Sequence, residues 1–329
     1  MKLKGATVMT IENMKKKLHP QIKPLFPDNT LAQGFALSNM TAARDFYTTN
    51  RQKLGTPDSP PAGLEHDIAT VTSYDGAHIE LRIAKPENKT KGPCVLWMHG
   101  GGYVMGEARF DDALLFALAQ QLDIIAASVE YRLAPEHPFP APIEDAWHAL
   151  LYLASRHDVD ESAIAIGGAS AGGGMAAGLA LLARDRKGPN LRAQALLYPM
   201  LDPRNISEPK HSADDFLVWS RQNNRDAWMA YIGEDALNDP DTVSCYAAPI
   251  LSQDLSGLPP TYMPTGDIDL FWRENMSYAQ RLIDADVPVE FHIIPGACHA
   301  FNGFFPTTKI AQYCNRRLVE FFQEHLIDE

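Results

Sequence analysis

The chain has 329 residues, of which 45% are hydrophobic and 21% charged; at this length about three quarters of the unfolded surface can be buried, enough for a large core. Its 29 lysines and arginines against 41 aspartates and glutamates leave a formal charge of −12, which repels a phosphate backbone and excludes nucleic acid as an expected partner. Four cysteines, Cys94, Cys245, Cys298 and Cys314, show no CxxC or Cys/His spacing, so neither a disulfide framework nor a zinc site is expected and a reducing compartment fits best.

The first residues, MKLKGATVMTIENMKKKLHP, are basic, but Glu12 and the lysines interrupt any apolar region and no A-x-A pattern follows. The expectation is a cytoplasmic, unprocessed chain, with Lys15 to Lys17 on a solvated helix face. A helical pattern spans Asn39 to Thr49. Two alternating segments, Asp67 to Ser73 and His78 to Ala84, are joined by Tyr74-Asp75-Gly76 and read as an antiparallel hairpin at one sheet edge. Continuous apolar runs follow at Cys94 to Met98, Ile124 to Val129, Ala163 to Ile166, Ala195 to Tyr198, Thr261 to Met263 and Val289 to Ile294, as expected of strands buried on both faces. Amphipathic helices are expected between and after them, at Asp111 to Gln121, Ile143 to Ser155, Glu274 to Ala285 and Thr308 to His325. The fold class is therefore α/β, a mostly parallel sheet of about eight strands with helices on both faces.

Residues 1–60 and 203–240 fall outside this rhythm; the second stretch carries Trp219, Trp228 and Tyr231. They are assigned as two parts of a cap, the first N-terminal and the second inserted, over a core formed by residues 61–202 and 241–329. The stretch from Ala163 to Ala183 lacks charge and is long enough to cross a bilayer, but six of its residues are glycine, so a poor continuous helix and no membrane span are expected.

Chemistry concentrates at four places. Gly168-Ala169-Ser170-Ala171-Gly172 follows an apolar strand and precedes a helix-forming run. A sharp strand-to-helix turn there would expose the serine hydroxyl, although a tightly packed helix N-terminus gives similar strings. Gly172, Gly174 and Ala177 also match G-x-G-x-x-A, but no acidic residue follows at the required distance, and no G-K-[ST] occurs, so dinucleotide and P-loop readings fail. His99-Gly100-Gly101-Gly102 closes the strand at Met98, where backbone N–H groups could face a developing oxyanion. His299 lies in a loop after the last strand, whereas His137, His148 and His292 suit a turn, a helix and a strand. The loop after Thr261 to Met263 offers Asp267 and Asp269, and spacing alone does not choose between them; either could orient His299.

The ordered motifs His99-Gly100-Gly101-Gly102-Tyr103, Tyr131 through Ala141 (YRLAPEHPFPA), Gly168 through Gly173, Asp269 with Tyr278-Ala279, and His299-Ala300-Phe301 resemble those of the hormone-sensitive-lipase family of esterases, bacterial family IV, within the α/β-hydrolase fold. The likeness covers roughly residues 65 to 325. It implies Ser170 as nucleophile, His299 as base and Asp269 as acid, with an oxyanion hole from the N–H groups of Gly101, Gly102 and Ala171. The family's acid lies nine residues before the tyrosine of a Tyr-Ala pair, as Asp269 does; Asp267 lies eleven before. The chain departs from the family at Ala169, where an acidic residue is usual, and at Leu270 and Phe271, where the family has Pro-Leu. Arg132 and Glu136 are expected to tie loops together.

The implied activity is a serine carboxylesterase acting through an acyl-enzyme on short- to medium-chain esters, with a small-molecule ester as partner and neither metal nor organic cofactor. A homodimer is left open. The alternatives are an amidase or peptidase on the same triad and a ligand-binding receptor of the same fold; the receptor reading is opposed by the presence of His299.

Overall fold

The computed structural model describes residues 15–26, 34–57, 59–206 and 218–328. Strand β1 (Leu64–Thr72), whose alternation in burial breaks at the exposed Ile68, turns through Gly76, at φ +85°, into β2 (His78–Pro86), which alternates over its first half. The pair is antiparallel and sits at the sheet edge, as the alternation predicts. The remaining strands are β3 (Gly92–Met98), β4 (Ile125–Val129), β5 (Val159–Ala169), β6 (Leu191–Leu197), β7 (Thr261–Gly266) and β8 (Val289–Ile294); β3, β4 and β7 are buried almost throughout, whereas β8, an edge strand, is only partly covered apart from Ile294, against the expectation of burial on both faces. Their order across the sheet is β1-β2-β4-β3-β5-β6-β7-β8. Only the β1/β2 and β2/β4 pairings are antiparallel.

Crossing helices place parallel strands side by side. They are α2 (Asp112–Leu122), α3 (Ala141–Ser155), α4 (Ala171–Asp185) and α7 (Trp272–Asp284); α5 (Arg221–Ile232) and α6 (Glu234–Asn238) lie in the long connection from β6 to β7, α1 (Met40–Lys53) precedes the first strand, and the short α8 (Phe301–Phe304) and α9 (Lys309–Leu326) follow the last one. The uncharged stretch from Ala163 to Ala183 is explained by burial. It is divided between β5 and α4, and α4 is buried on every face from Ala171 to Ala183. Among the described residues no helix is long and apolar enough to cross a membrane.

Two strands differ most from their expected limits. β5 runs on through Gly167 and Gly168 because the Trp97 ring lies over Gly167, where only a residue without Cβ fits; at its other end the polar Asp160, Glu161 and Ser162, the last two exposed, interrupt the apolar run after the buried Val159. β6 starts at Leu191 and stops before Tyr198, whose backbone turns to φ +38°.

The segments assigned to a cap include residues 1–14, 27–33, 58 and 207–217, which lie outside the described residues. Their described parts meet over the strand ends. Helix α1 begins at Asn39, whose side chain accepts from Ala42 N, and Ser220 caps α5 in the same way through Asn223 N. Phe35 packs against both Phe46 and Trp219, and Tyr231 of α5 stacks on Tyr103 at 4.0 Å.

Candidate functional site

At the carboxyl end of β5 the chain reverses into α4 at Ser170, which takes φ +57° and ψ −121°. A non-glycine residue in such a conformation costs on the order of 1–3 kcal/mol and persists only where its surroundings impose it. Here Ser170 N donates to Leu197 O, and Ser170 O accepts from Gly174 N and Met200 N. Glycine is required on both sides. A Cβ on Gly168 would overlap the Gly172 carbonyl, and one on Gly172 would overlap the carbonyls of Met98 and His99, so helix and strands could not close around the turn.

The glycine loop after β3 lies beside this turn. A Cβ on Gly100 would crowd Ala169 O, while Gly101 and Gly102 adopt φ +133° and +63°. The loop is held from behind by His99, whose ring stacks on Tyr131 at 4.1 Å and whose carbonyl accepts from the Tyr131 hydroxyl at 2.7 Å. Burial lowers the His99 pKa and favours the neutral ring. Arg132 then clamps Asp145 through Nε and Nη2 and reaches Asp75 at the hairpin turn. Glu136 accepts a two-pronged bond from Arg44 of α1, which also donates to the carbonyls of Val104 and Ala134. Both residues thus bridge loops, as the sequence suggests.

Two further loops complete the cluster. Asp269, buried after β7, accepts from Phe271 N through Oδ1 and meets His299 Nδ1 through Oδ2 at 2.8 Å. His299 Nε2 lies 2.8 Å from Ser170 Oγ. A proton on Nδ1 donated to Asp269, with the serine hydroxyl donating to Nε2, satisfies both ring nitrogens. Asp267 has another role: its Oδ1 accepts from Gly296 N at 2.6 Å, joining the acid loop to the histidine loop. His137, His148 and His292 occupy a turn, α3 and β8.

Sequence reasoning missed the supports of the imidazole. Tyr198 and Phe271 meet the His299 ring edge-to-face at 5.1 and 5.0 Å. Tyr198 Oη donates to Asn302, which donates to Asn315. Phe271 stands where the family pattern has leucine; that departure was its one sequence signal.

Ser170 and His299 open onto a cavity of about 580 Å³. Aromatic side chains in its walls include Phe35, Tyr47, Trp97, Phe110, Trp219 and Phe304. Burial pushes the Tyr47 hydroxyl up to about 12. Among the described residues no group of three or more His, Cys, Asp or Glu side chains could hold a metal ion.

A buried serine–histidine–aspartate array on a strand-to-helix turn, beside a glycine loop and at the carboxyl ends of parallel strands, defines the class of enzyme in which comparison with known proteins belongs. A family described as the alpha/beta hydrolase fold matches residues 95–303. "Esterase LipI" of Mycobacterium tuberculosis is 36% identical over 244 residues, 70% of this chain and 73% of the relative. "Carboxylesterase NlhH" of the same organism is 35% identical over 259 residues, 77% of this chain and 80% of the relative. The solved structure named "Bacterial Heroin Esterase" superposes with a TM-score of 0.85 at 34% identity, covering 94% of this chain and 98% of that one. The chain belongs to the α/β-hydrolase fold family, as a carboxylic ester hydrolase of the hormone-sensitive-lipase type, bacterial family IV.

Proposed function

We propose that the chain is a serine carboxylesterase in which Ser170 is the nucleophile, His299 the general base and Asp269 the orienting acid, acting on short- to medium-chain acyl esters. The observation that carries the reading is the unbroken line Ser170 Oγ to His299 Nε2 and His299 Nδ1 to Asp269 Oδ2, each step 2.8 Å, beside a mostly apolar cavity. In the first half-reaction His299 takes the serine proton as Oγ adds to the ester carbonyl. The negative charge then forming on the carbonyl oxygen faces the N–H groups of Gly101, Gly102 and Ala171. Ala171 begins α4, where N–H groups have no acceptor inside the helix, and fixed donors need no reorganisation as charge develops. His299 returns the proton to the departing alcohol, and water repeats the sequence on the acyl-enzyme.

We further assign residues 1–60 and 203–240 to a cap over a core of residues 61–202 and 241–329, and place the protein in the cytoplasm. The meeting of Phe35 with Trp219 above the glycine loop supports the first assignment; four free cysteines are in keeping with the second.

The Ser170→Ala variant is the direct test: turnover of p-nitrophenyl butyrate should disappear while circular dichroism is unchanged, and full activity would refute the nucleophile. A p-nitrophenyl series from acetate to palmitate should peak at short to medium chains with no jump at the micellar threshold. Faster cleavage of a matched anilide than of the aryl ester would favour the amidase reading.

A further inference from the structure

The catalytic cavity contains an ion pair that the proposed reaction does not use. Arg51, in the last turn of α1, and Asp111, just before α2, both line the cavity that holds Ser170 and His299. Their closest approach, Nη2 to Oδ1, is 3.5 Å, and the side chains are 20% and 18% exposed. Arg51 Nη2 donates to Phe110 O at 2.6 Å. Arg51 Nε and Asp111 Oδ2, however, are buried without a hydrogen-bond partner of good geometry, as is the neighbouring His99 Nε2; the Trp97 indole N–H, also without a well-aligned acceptor, faces the Asp111 carboxylate and helps to stabilise its charge. Burial raises the Asp111 pKa, with Arg51 the largest opposing influence. The pair is thus largely desolvated and under-bonded beside Phe35, Tyr47 and Phe110, in a cavity whose lining elsewhere includes Gln312, Asn315 and Arg316.

We propose that Arg51 and Asp111 form a specificity-determining subsite that receives a hydroxyl group carried on the chain of the bound ester. This rests on the ester-hydrolase reading and narrows its substrate class. The chemistry of the pair selects the group. An ammonium substituent would meet the guanidinium and a carboxylate would meet the Asp111 side chain, each bringing net charge into a low-dielectric wall. A hydroxyl is neutral; it donates to the carboxylate while accepting from the guanidinium. A plain alkyl chain would exclude water from both groups and replace none of their bonds. Sites built around a hydroxyl discriminate against its absence more sharply than apolar pockets discriminate by size. Trp97 ties the subsite to the catalytic frame, since its ring also lies over Gly167.

The experiment compares kcat/KM on two matched pairs, ethyl 3-hydroxybutyrate against ethyl butyrate and 2-hydroxyethyl butyrate against propyl butyrate. In the wild-type enzyme the hydroxylated member of one pair should lead by about tenfold or more, and the pair that shows the lead tells whether the acyl or the alcohol portion enters the subsite. The double variant Arg51→Met/Asp111→Leu removes both charges together and leaves neither orphaned; in it the lead should collapse to about one. Should that variant fail to fold by circular dichroism, Asp111→Asn answers through the same ratio. The proposal is overturned if neither pair shows a lead in the wild type, or if the lead survives substitution. Failure to hydrolyse any of the four esters is a different outcome, and removes the ester reading and the subsite together.

Discussion

The serine–histidine–aspartate array at the carboxyl ends of the strands and the wall contributed by α1 and the approach to α2 both bury polar groups, but only the array satisfies them internally. Asp269 has a partner for each carboxylate oxygen and His299 for each ring nitrogen. Across the same cavity, Arg51 Nε and Asp111 Oδ2 lack a well-aligned one. A polar array that is complete before substrate arrives is prepared for charge that develops during reaction; one that is incomplete is prepared for a group that the substrate brings. Substitutions in the first region should therefore act mainly on kcat, and those in the second on discrimination between esters.

The largest effect within the acid loop should separate its two aspartates. Asp269→Asn removes the acceptor that holds the proton on His299 Nδ1, and the equivalent change in a serine protease costs about 10⁴ in kcat. Asp267→Asn keeps an oxygen for Gly296 N and touches no reacting group, so its kcat should stay within about tenfold of wild type, the scale of one hydrogen bond. A larger loss at Asp267 would reverse the assignment. Stopped assays on p-nitrophenyl butyrate at fixed pH measure both.

Next in size is a steric change. Gly172→Ala sets a methyl group against the Met98 and His99 carbonyls, and backbone cannot rotate away as a side chain would. The expected loss is about 3 kcal/mol or more of unfolding free energy in urea titration. An unchanged midpoint would mean that the elbow and glycine loop are packed less tightly than their contacts indicate.

These two regions were unequally legible in the sequence. Close backbone approach demands glycine, so Gly100 to Gly102, Gly168 and Gly172 left a local signature, and β3 and β5 were recognisable as the strands feeding it. The choice of Asp269 over Asp267 needed a family pattern, because both sit on one short loop and only the fold directs one of them inward. Arg51 and Asp111 left no signature, being sixty positions apart on elements with unrelated periodicities. The apolar run places Tyr198 at the end of a strand. Its positive φ, which turns the ring against His299, is imposed by tertiary contacts that no local pattern encodes.

A smaller effect tests how the second region is attached. Arg44→Ala removes the bridge from α1 to Glu136 and to the carbonyls of Val104 and Ala134. The Glu136 pair is solvent-exposed and adds little; the two carbonyl bonds account for most of an expected 1–2 kcal/mol, roughly, in stability. Because α1 carries Arg51 and Tyr47 into the cavity wall, KM should rise more than kcat falls. Equal loss in both would place α1 among the supports of the catalytic array.

The smallest expected effect concerns Glu130, which follows β4 and accepts from Ala108 N at 2.8 Å. Burial raises its pKa from 4.5 to about 7, with Glu107 and Glu80 adding repulsion and Arg82 opposing it. The raised value fixes the sign of the pH dependence. The folded protein retains a proton that the unfolded chain releases above about 4.5, so this group opposes folding increasingly as pH rises from there to about 7 and by a constant amount beyond. Glu130→Gln keeps an oxygen for Ala108 N without the charge. It should leave Tm unchanged at pH 4, where both forms are neutral, and raise it by about 1–3 °C at pH 8. A gain of equal size at both pH values would assign the effect to packing, and a loss at pH 8 would show that the carboxylate is paired in the folded protein. Either result would blur the contrast between the two regions, because Ala108 lies three residues before Asp111 and belongs to the same approach to α2.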